Sequence, residues 1–392
     1  MSENKKMVLQ MLQEGKINVE EALKLLDKTE PEAEPESEEK SKGTFTGEAF
    51  KPDFDVLGKK VTGFVKDITN FAMDVAGQAS DELIKQSQIW QRATKNYKDN
   101  TKFLRHLEKE FETSGINKLK LHGVTDNFTV LASETGQILI QADVYMSTDK
   151  SIEEAEDIMI QDVIRGKCLD ISSYMKERTL ASLKTGYSVH YTLKVPKSIA
   201  LEIETLDGPV MIKDICNKID VEIKNGSLEV QDYSGELNAN LKNGSANLKS
   251  CSGQIVVQNK NGHTFLADSE GTINIKTQNG AITSNNFQGK LTLTSKNGKL
   301  HARLPNFEEK CHYRLNSKNG AIVLDIPENQ DFNVFCEAPE SNIESSLPGL
   351  RISDEDEEGQ TWSNGNGGAL KASLKTRNGS IKFRPYREDD EA

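Results

Sequence analysis

The sequence predicts a mainly β chain: a β-solenoid with coils of about 18 residues, preceded by an N-terminal α-helical hairpin and a helical segment. Three observations carry the prediction. Asn-Gly recurs at Asn225-Gly226, Asn243-Gly244, Asn261-Gly262, Asn279-Gly280 and Asn297-Gly298, each 18 residues after the last, and Asp207-Gly208 lies one period earlier. A second glycine recurs halfway, at Gly235, Gly253, Gly271 and Gly289, with Asn217 in the preceding place. Positions two and four after each glycine are mostly apolar, as in Leu228 and Val230 or Ile255 and Val257, with polar residues between. This is inside–outside alternation on short strands. An antiparallel β-meander is the alternative, because Asn-Gly is the strongest short hairpin signal. A meander has no reason to alternate two turn types with an 18-residue memory. A coil with two unlike corners does.

Residues 1–30 read as a helical hairpin. Leu9 and Leu12 lie on the stripe of a first helix that Gly15 closes. Asn18 with Glu21 opens a second helix as a capping box, and Leu23 and Leu26 lie on its apolar face. Helices this short are marginal alone, so Leu9, Leu12, Leu23 and Leu26 form a candidate face for self-association or a protein partner, or pack on the chain's own body. Residues 31–52 are an acidic linker with Pro31 and Pro35. Residues 53–112 read as helical. Val61, Phe64, Val65, Ile68, Phe71 and Val75 share one face, suited to packing on the β body, to a coiled coil or to a membrane surface. A second, more polar helix spans roughly Ser80 to Phe111.

From Lys118 the period becomes 2, opening a β-strand-repeat domain over 118–386 with its repeat core at 207–326. One helix is expected within it: Ser151 with Glu154 makes a capping box, and Ala155, Ile158, Met159 and Val163 make a stripe. The Asn-Gly period lengthens to 22 between Asn297 and Asn319, which places an insertion near Pro305. A larger insertion covers about 338–365, and Asn378-Gly379-Ser380-Ile381 reads as a closing strand.

Lys224, Lys242, Lys260, Lys296 and Lys318 each precede an Asn-Gly; Gln278 interrupts the row and Arg377 echoes it. In a solenoid they would line one edge a strand spacing apart. That edge is a candidate site for an anionic polymer or membrane surface, or simply a solvated face that prevents edge pairing. The net charge of -12 argues against a nucleic-acid partner. The five cysteines show no metal or redox spacing, the six histidines stand singly, and no nucleotide-binding or hydrolase motif occurs. No catalytic, metal or cofactor-binding residue is therefore expected, and no cofactor. The N-terminus carries no apolar leader and no run long enough to span a bilayer, so the expected location is cytoplasmic or peripheral at the membrane or cell envelope.

Residues 8–27, from Val8 through Glu14-Gly15-Lys16 to Asp27, resemble the SHOCT-like N-terminal hairpin of bacterial YvlB-type and LiaX-type proteins. The β region resembles a β-strand-repeat family named for adhesins. The resemblance implies a bacterial protein tied to the cell-envelope stress response and brings no catalytic residues. The reading is a non-enzymatic scaffold or interaction protein; a cell-surface adhesin and a carbohydrate-active solenoid enzyme are the alternatives.

Overall fold

The computed structural model describes residues 101–147, 158–175, 187–306, 311–339, 342–355, 359–364, 368 and 370–387. The helical hairpin with Leu9, Leu12, Leu23 and Leu26, the acidic linker and the helical stripe near Phe64 lie outside them. The strands in chain order are β1 (Thr101–Glu112), β2 (Lys118–Gly123), β3 (Asn127–Ala132), β4 (Gln137–Ser147), β5 (Ile158–Arg165), β6 (Cys168–Met175), β7 (Tyr187–Val195), β8 (Ala200–Asp207), β9 (Val210–Lys213) and β10 (Ile219–Asn225). Four long strands follow: β11 (Leu228–Asn243), β12 (Ala246–Asn261), β13 (Thr264–Asn279) and β14 (Ile282–Asn297). The rest are β15 (Leu300–Arg303), β16 (Cys311–Asn319), β17 (Ile322–Ile326), β18 (Phe332–Glu337), β19 (Ile343–Ser345), β20 (Arg351–Glu355), β21 (Gln360–Asn364), β22 (Leu370–Thr376) and β23 (Ile381–Pro385).

The repeat is a solenoid. β11, β12, β13 and β14 pair in parallel with a shift of one period, so Leu237 lies beside Ile255 and Ile255 beside Ile273. Parallel pairing excludes the meander. Each long strand bends once. Its first part builds one sheet and its second part the facing sheet, and apolar side chains such as Val230, Leu248, Leu237 and Ile255 meet between them, fully buried. At the bend Asp232, Ser250, Asp268 and Asn286 adopt positive φ, a conformation that short polar side chains tolerate. The next residue then turns inward: Tyr233, Cys251, Ser269 and Phe287 plug that corner, all buried.

The other corner is the Asn-Gly pair. Backbones approach there so closely that a Cβ on Gly262 would overlap the carbonyl of Gly244. The asparagine has its own task. Each amide donates to the side-chain oxygen of the one before it: Asn243 to Asn225, Asn261 to Asn243, Asn279 to Asn261 and Asn297 to Asn279, all at 2.8 Å. Asn225 closes the series on Asp207 at 2.6 Å, and Asn319 and Asn378 extend it at the other end. Such a column aligns amide dipoles with the N–H end toward Asp207, where a carboxylate complements it.

Two helical expectations give way to strands. Residues 101–112 are β1, antiparallel to β4, so the β body starts at Thr101 rather than near 118. Residues 158–165 are β5, antiparallel to β6. The cap residues Ser151 and Glu154 lie outside the described residues. The lengthened period falls where expected, between Arg303 and Cys311, and Asn319 returns to register beside Asn297.

The ends of the stack depart from chain order. β2 lies between β6 and β8, and β3 between β7 and β9. At the far end β22 lies between β16 and β18, and β23 between β17 and β19. The motif Asn378-Gly379 is thus an inner rung, not the closing one. Part of the expected insertion belongs to the outermost rung, which comprises β18 and β19. Antiparallel strands cover the ends: β5 on β6, β4 and β1 on β7, β21 and β20 on β18. Natural sheets cover edges in this way to avoid pairing with other chains.

Candidate functional site

Lys224, Lys242, Lys260, Lys296 and Lys318 occupy equivalent places in β10, β11, β12, β14 and β16. Each lies between an inward side chain and a ladder asparagine, and all five are exposed. The residues just before them in the chain point inward and change along the stack, from Ile223 and Leu241 to Asn259, Thr277, Ser295 and Ser317. Asn259 Nδ2 donates to the Gly244 carbonyl at 2.9 Å, and Ser295 and Ser317 reach the carbonyls of Gly280 and Gly298 at 3.4 Å. The lysine edge therefore stands on hydrogen-bonded corners.

The structure adds what the sequence pattern did not show. Two residues before each lysine lies a second outward column: Glu222, Asn240, Gln258, Lys276, Thr294, Asn316 and Lys375. The two columns line one groove of about 880 Å³ that crosses the coils. Gln278 and Arg377 fill the remaining places of the lysine column in the same groove. Lys276 and Lys375 were legible only as the position two before a lysine-column residue, a signal that single residues do not reveal. Eight basic side chains thus face one acid, Glu222, on a protein of net charge -12.

Most of these charges are uncompensated. Among the described residues, Lys224, Lys242, Lys260, Lys276, Lys296 and Lys318 have no ion-pair partner, whereas Lys375 meets Glu337 at 2.5 Å. Elsewhere several lysines are tied to carboxylates: Lys109 to Asp162 at 2.6 Å, Lys120 to Glu202 at 2.8 Å, Lys218 to Glu236 at 3.0 Å and Lys382 to Glu344 at 2.8 Å. Charges one strand spacing apart, about 4.8 Å, repel by about 1 kcal/mol in water and by about 3–4 kcal/mol at a protein-surface dielectric. Splaying lowers this repulsion, and a bound anion reverses it.

Among the described residues no group of three or more histidines, cysteines or acids is placed to hold a metal. His301, Arg303 and Arg384 surround Asp325, with contacts of 2.7, 3.6 and 2.8 Å; burial pushes its carboxyl up, and His301 and Arg384 outweigh that and hold it below the usual range. Burial lowers His190 to about 4 and raises Asp126 to about 6. Cys251 and Cys336 are buried and pushed up to about 12, which keeps these thiols protonated.

Comparison with known proteins matches this architecture to one family. The family model Toastrack DUF4097 matches residues 117–384. The chain belongs to the Toastrack DUF4097 family. A SHOCT-like domain model matches residues 3–34, over the predicted hairpin. Solved structures similar to the chain include a candidate cell adhesion protein of Clostridium sporogenes ATCC 15579, 12% identical with a TM-score of 0.19, covering 72% of this chain and 100% of that one. Candidate adhesins of Bacteroides fragilis NCTC 9343 and Parabacteroides merdae ATCC 43184 are 13% and 11% identical, both with TM-scores of 0.27. They cover 71% and 72% of this chain and 97% of their own. No curated protein matches the chain. Among the described residues no helix is long and apolar enough to cross a membrane.

Proposed function

We propose that this Toastrack protein is a non-enzymatic binding scaffold. The solenoid presents its groove as a rigid surface, and the SHOCT-like hairpin joins copies of the chain or recruits a protein partner. The observation that carries the reading is the groove itself: basic groups, most of them without counter-ions, repeated at fixed spacing on a frame of parallel ladders. A rigid frame holds its charges in place before binding, so little ordering cost falls on the protein when a ligand arrives. The resemblance of residues 8–27 to YvlB-type and LiaX-type hairpins motivates a place in the cell-envelope stress response, with the protein in the cytoplasm or at the membrane periphery.

Two measurements test the scaffold. Deletion of residues 1–30 is expected to lower the oligomeric mass or abolish a captured partner; a chain unchanged in both respects refutes the docking role of Leu9, Leu12, Leu23 and Leu26. Affinity capture from cells with and without envelope stress is expected to differ in what it recovers, and identical recovery removes the stress link. Fractionation separates this reading from a surface adhesin.

A further inference from the structure

The geometry points to a linear phosphate polymer as the occupant of the groove, lying across the coils with successive phosphates beside successive lysines. The inference rests on the scaffold reading and names the ligand class of its groove. Three observations choose this chemistry. First, the basic column runs perpendicular to the strands through seven places, from Lys224 to Arg377, a length of about 29 Å at one strand spacing per step. A line of charge fits a line of opposite charge. Second, the two outward columns flank one shallow, open groove. A narrow chain can lie along it and bring its charges to both columns. Third, no lining residue is aromatic. Single-stranded nucleic acids take much of their affinity from bases stacked on aromatic rings, and this groove offers none. It offers ammonium groups and, between them, the amides of Asn240, Gln258 and Asn316 as neutral donors to phosphate oxygens.

Acids stand at both ends of the groove. Glu222, with Glu204 beside it in the next coil, stands at the end nearest Lys224, and Glu337 pairs with Lys375 at the other, whereas Lys276 adds a charge to the middle rung. The polymer therefore engages the middle coils, from Lys242 to Lys318, most tightly.

The test uses the full chain and inorganic polyphosphate in lengths shorter and longer than the groove. The comparison probes are orthophosphate, an oligothymidylate, and vesicles of phosphatidylcholine and phosphatidylglycerol in equal parts. Affinity for polyphosphate is expected to rise with length until the groove is spanned, and to fall linearly with salt on a log–log scale as counter-ions are released. Lys296→Glu with Lys318→Glu is expected to lower it at least tenfold. Lys194→Glu with Lys213→Glu places the same charge change on exposed lysines of the other sheet and is expected to change affinity less than threefold. Circular dichroism checks that both variants keep the β fold. Equal losses in the two variants, no dependence on length, or tighter binding to vesicles, oligothymidylate or orthophosphate than to polyphosphate would overturn the assignment. If polyphosphate fails to bind while Lys296→Glu with Lys318→Glu abolishes capture of a cellular partner, the ligand class falls and the scaffold reading survives.

Discussion

Replacing Asn261 by Asp changes one atom's chemistry in the middle of the amide column. Asn261 Nδ2 donates to Asn243 Oδ1 at 2.8 Å, and Asn261 Oδ1 accepts from Asn279 Nδ2 at 2.8 Å. An ionised Asp keeps the second bond, loses the first, and sets its own oxygen against that of Asn243. Losing one partly buried hydrogen bond costs about 1 kcal/mol. Replacing attraction by oxygen–oxygen repulsion adds a comparable amount, for a total of about 2–3 kcal/mol, or a fall of about 3–5 °C in Tm for a domain of this size. A protonated Asp can donate again, so the folded state raises the pKa of this carboxyl above its ordinary value near 3.9. Stability held by a raised acid is present at low pH and lost as pH rises through the folded pKa. The deficit of Asn261→Asp relative to wild type should therefore shrink as pH is lowered from 7 toward 4 in urea melts. The reverse change at the column's end, Asp207→Asn, keeps the oxygen that Asn225 uses and should cost under about 1 kcal/mol at any pH. Equal costs at the two positions, or a deficit in Asn261→Asp that does not close on acidification, would refute the account of the column as a directed chain of donors.

Two further outcomes can be checked by the same melts. Gly262→Ala places a methyl against the Gly244 carbonyl at a φ of 141° and should cost about 3 kcal/mol or more, whereas Gly136→Ala, with open space around it, should cost about 1 kcal/mol. Asp126 is fully buried, is held by Ser173 and the Val189 amide, and has its pKa raised by burial to about 6. Its contribution is present below about pH 4 and lost as pH rises through 6. Asp126→Asn should accordingly remove about 2–3 kcal/mol of pH dependence across that window; a variant whose curve parallels wild type would contradict the assignment.

The repeat was legible because it is local. Glycine where backbones touch, asparagine where amides stack, and alternation between corners are each imposed at every rung, so the pattern prints itself every 18 residues. The lysine column was legible for the same reason. What failed depends on partners distant in sequence. Thr101–Glu112 is rich in Leu, Lys, Glu and Arg, all good helix formers, yet it pairs along its length with β4, and pairing outweighs propensity. Ile158–Arg165 shows apolar residues at helical spacing, but Ile158 and Ile160 also fit a strand, and β6 supplies the partner. Asn378-Gly379 announced a rung and not its rank, because a motif does not record which neighbours it stacks between. The groove needed both outward columns, and only the register shows that they share one concavity.

The rank of that rung has a mechanical consequence. β22 and β23 are the last strands of the body to leave the ribosome, and the place they fill lies inside the stack, between rungs made earlier. Until they emerge, β18 and β19 lack their parallel neighbours in the stack. A prematurely terminated chain thus exposes an unfilled slot that cellular proteases can recognise. Once filled, the slot makes the C-terminal strands hard to extract. A force on the C-terminal side of the body must first shear β23 from β17 and β19 together, instead of peeling one ladder bond by bond. The N-terminal β2 and β3 are gripped in the same way. A body anchored like this resists being unravelled from either side.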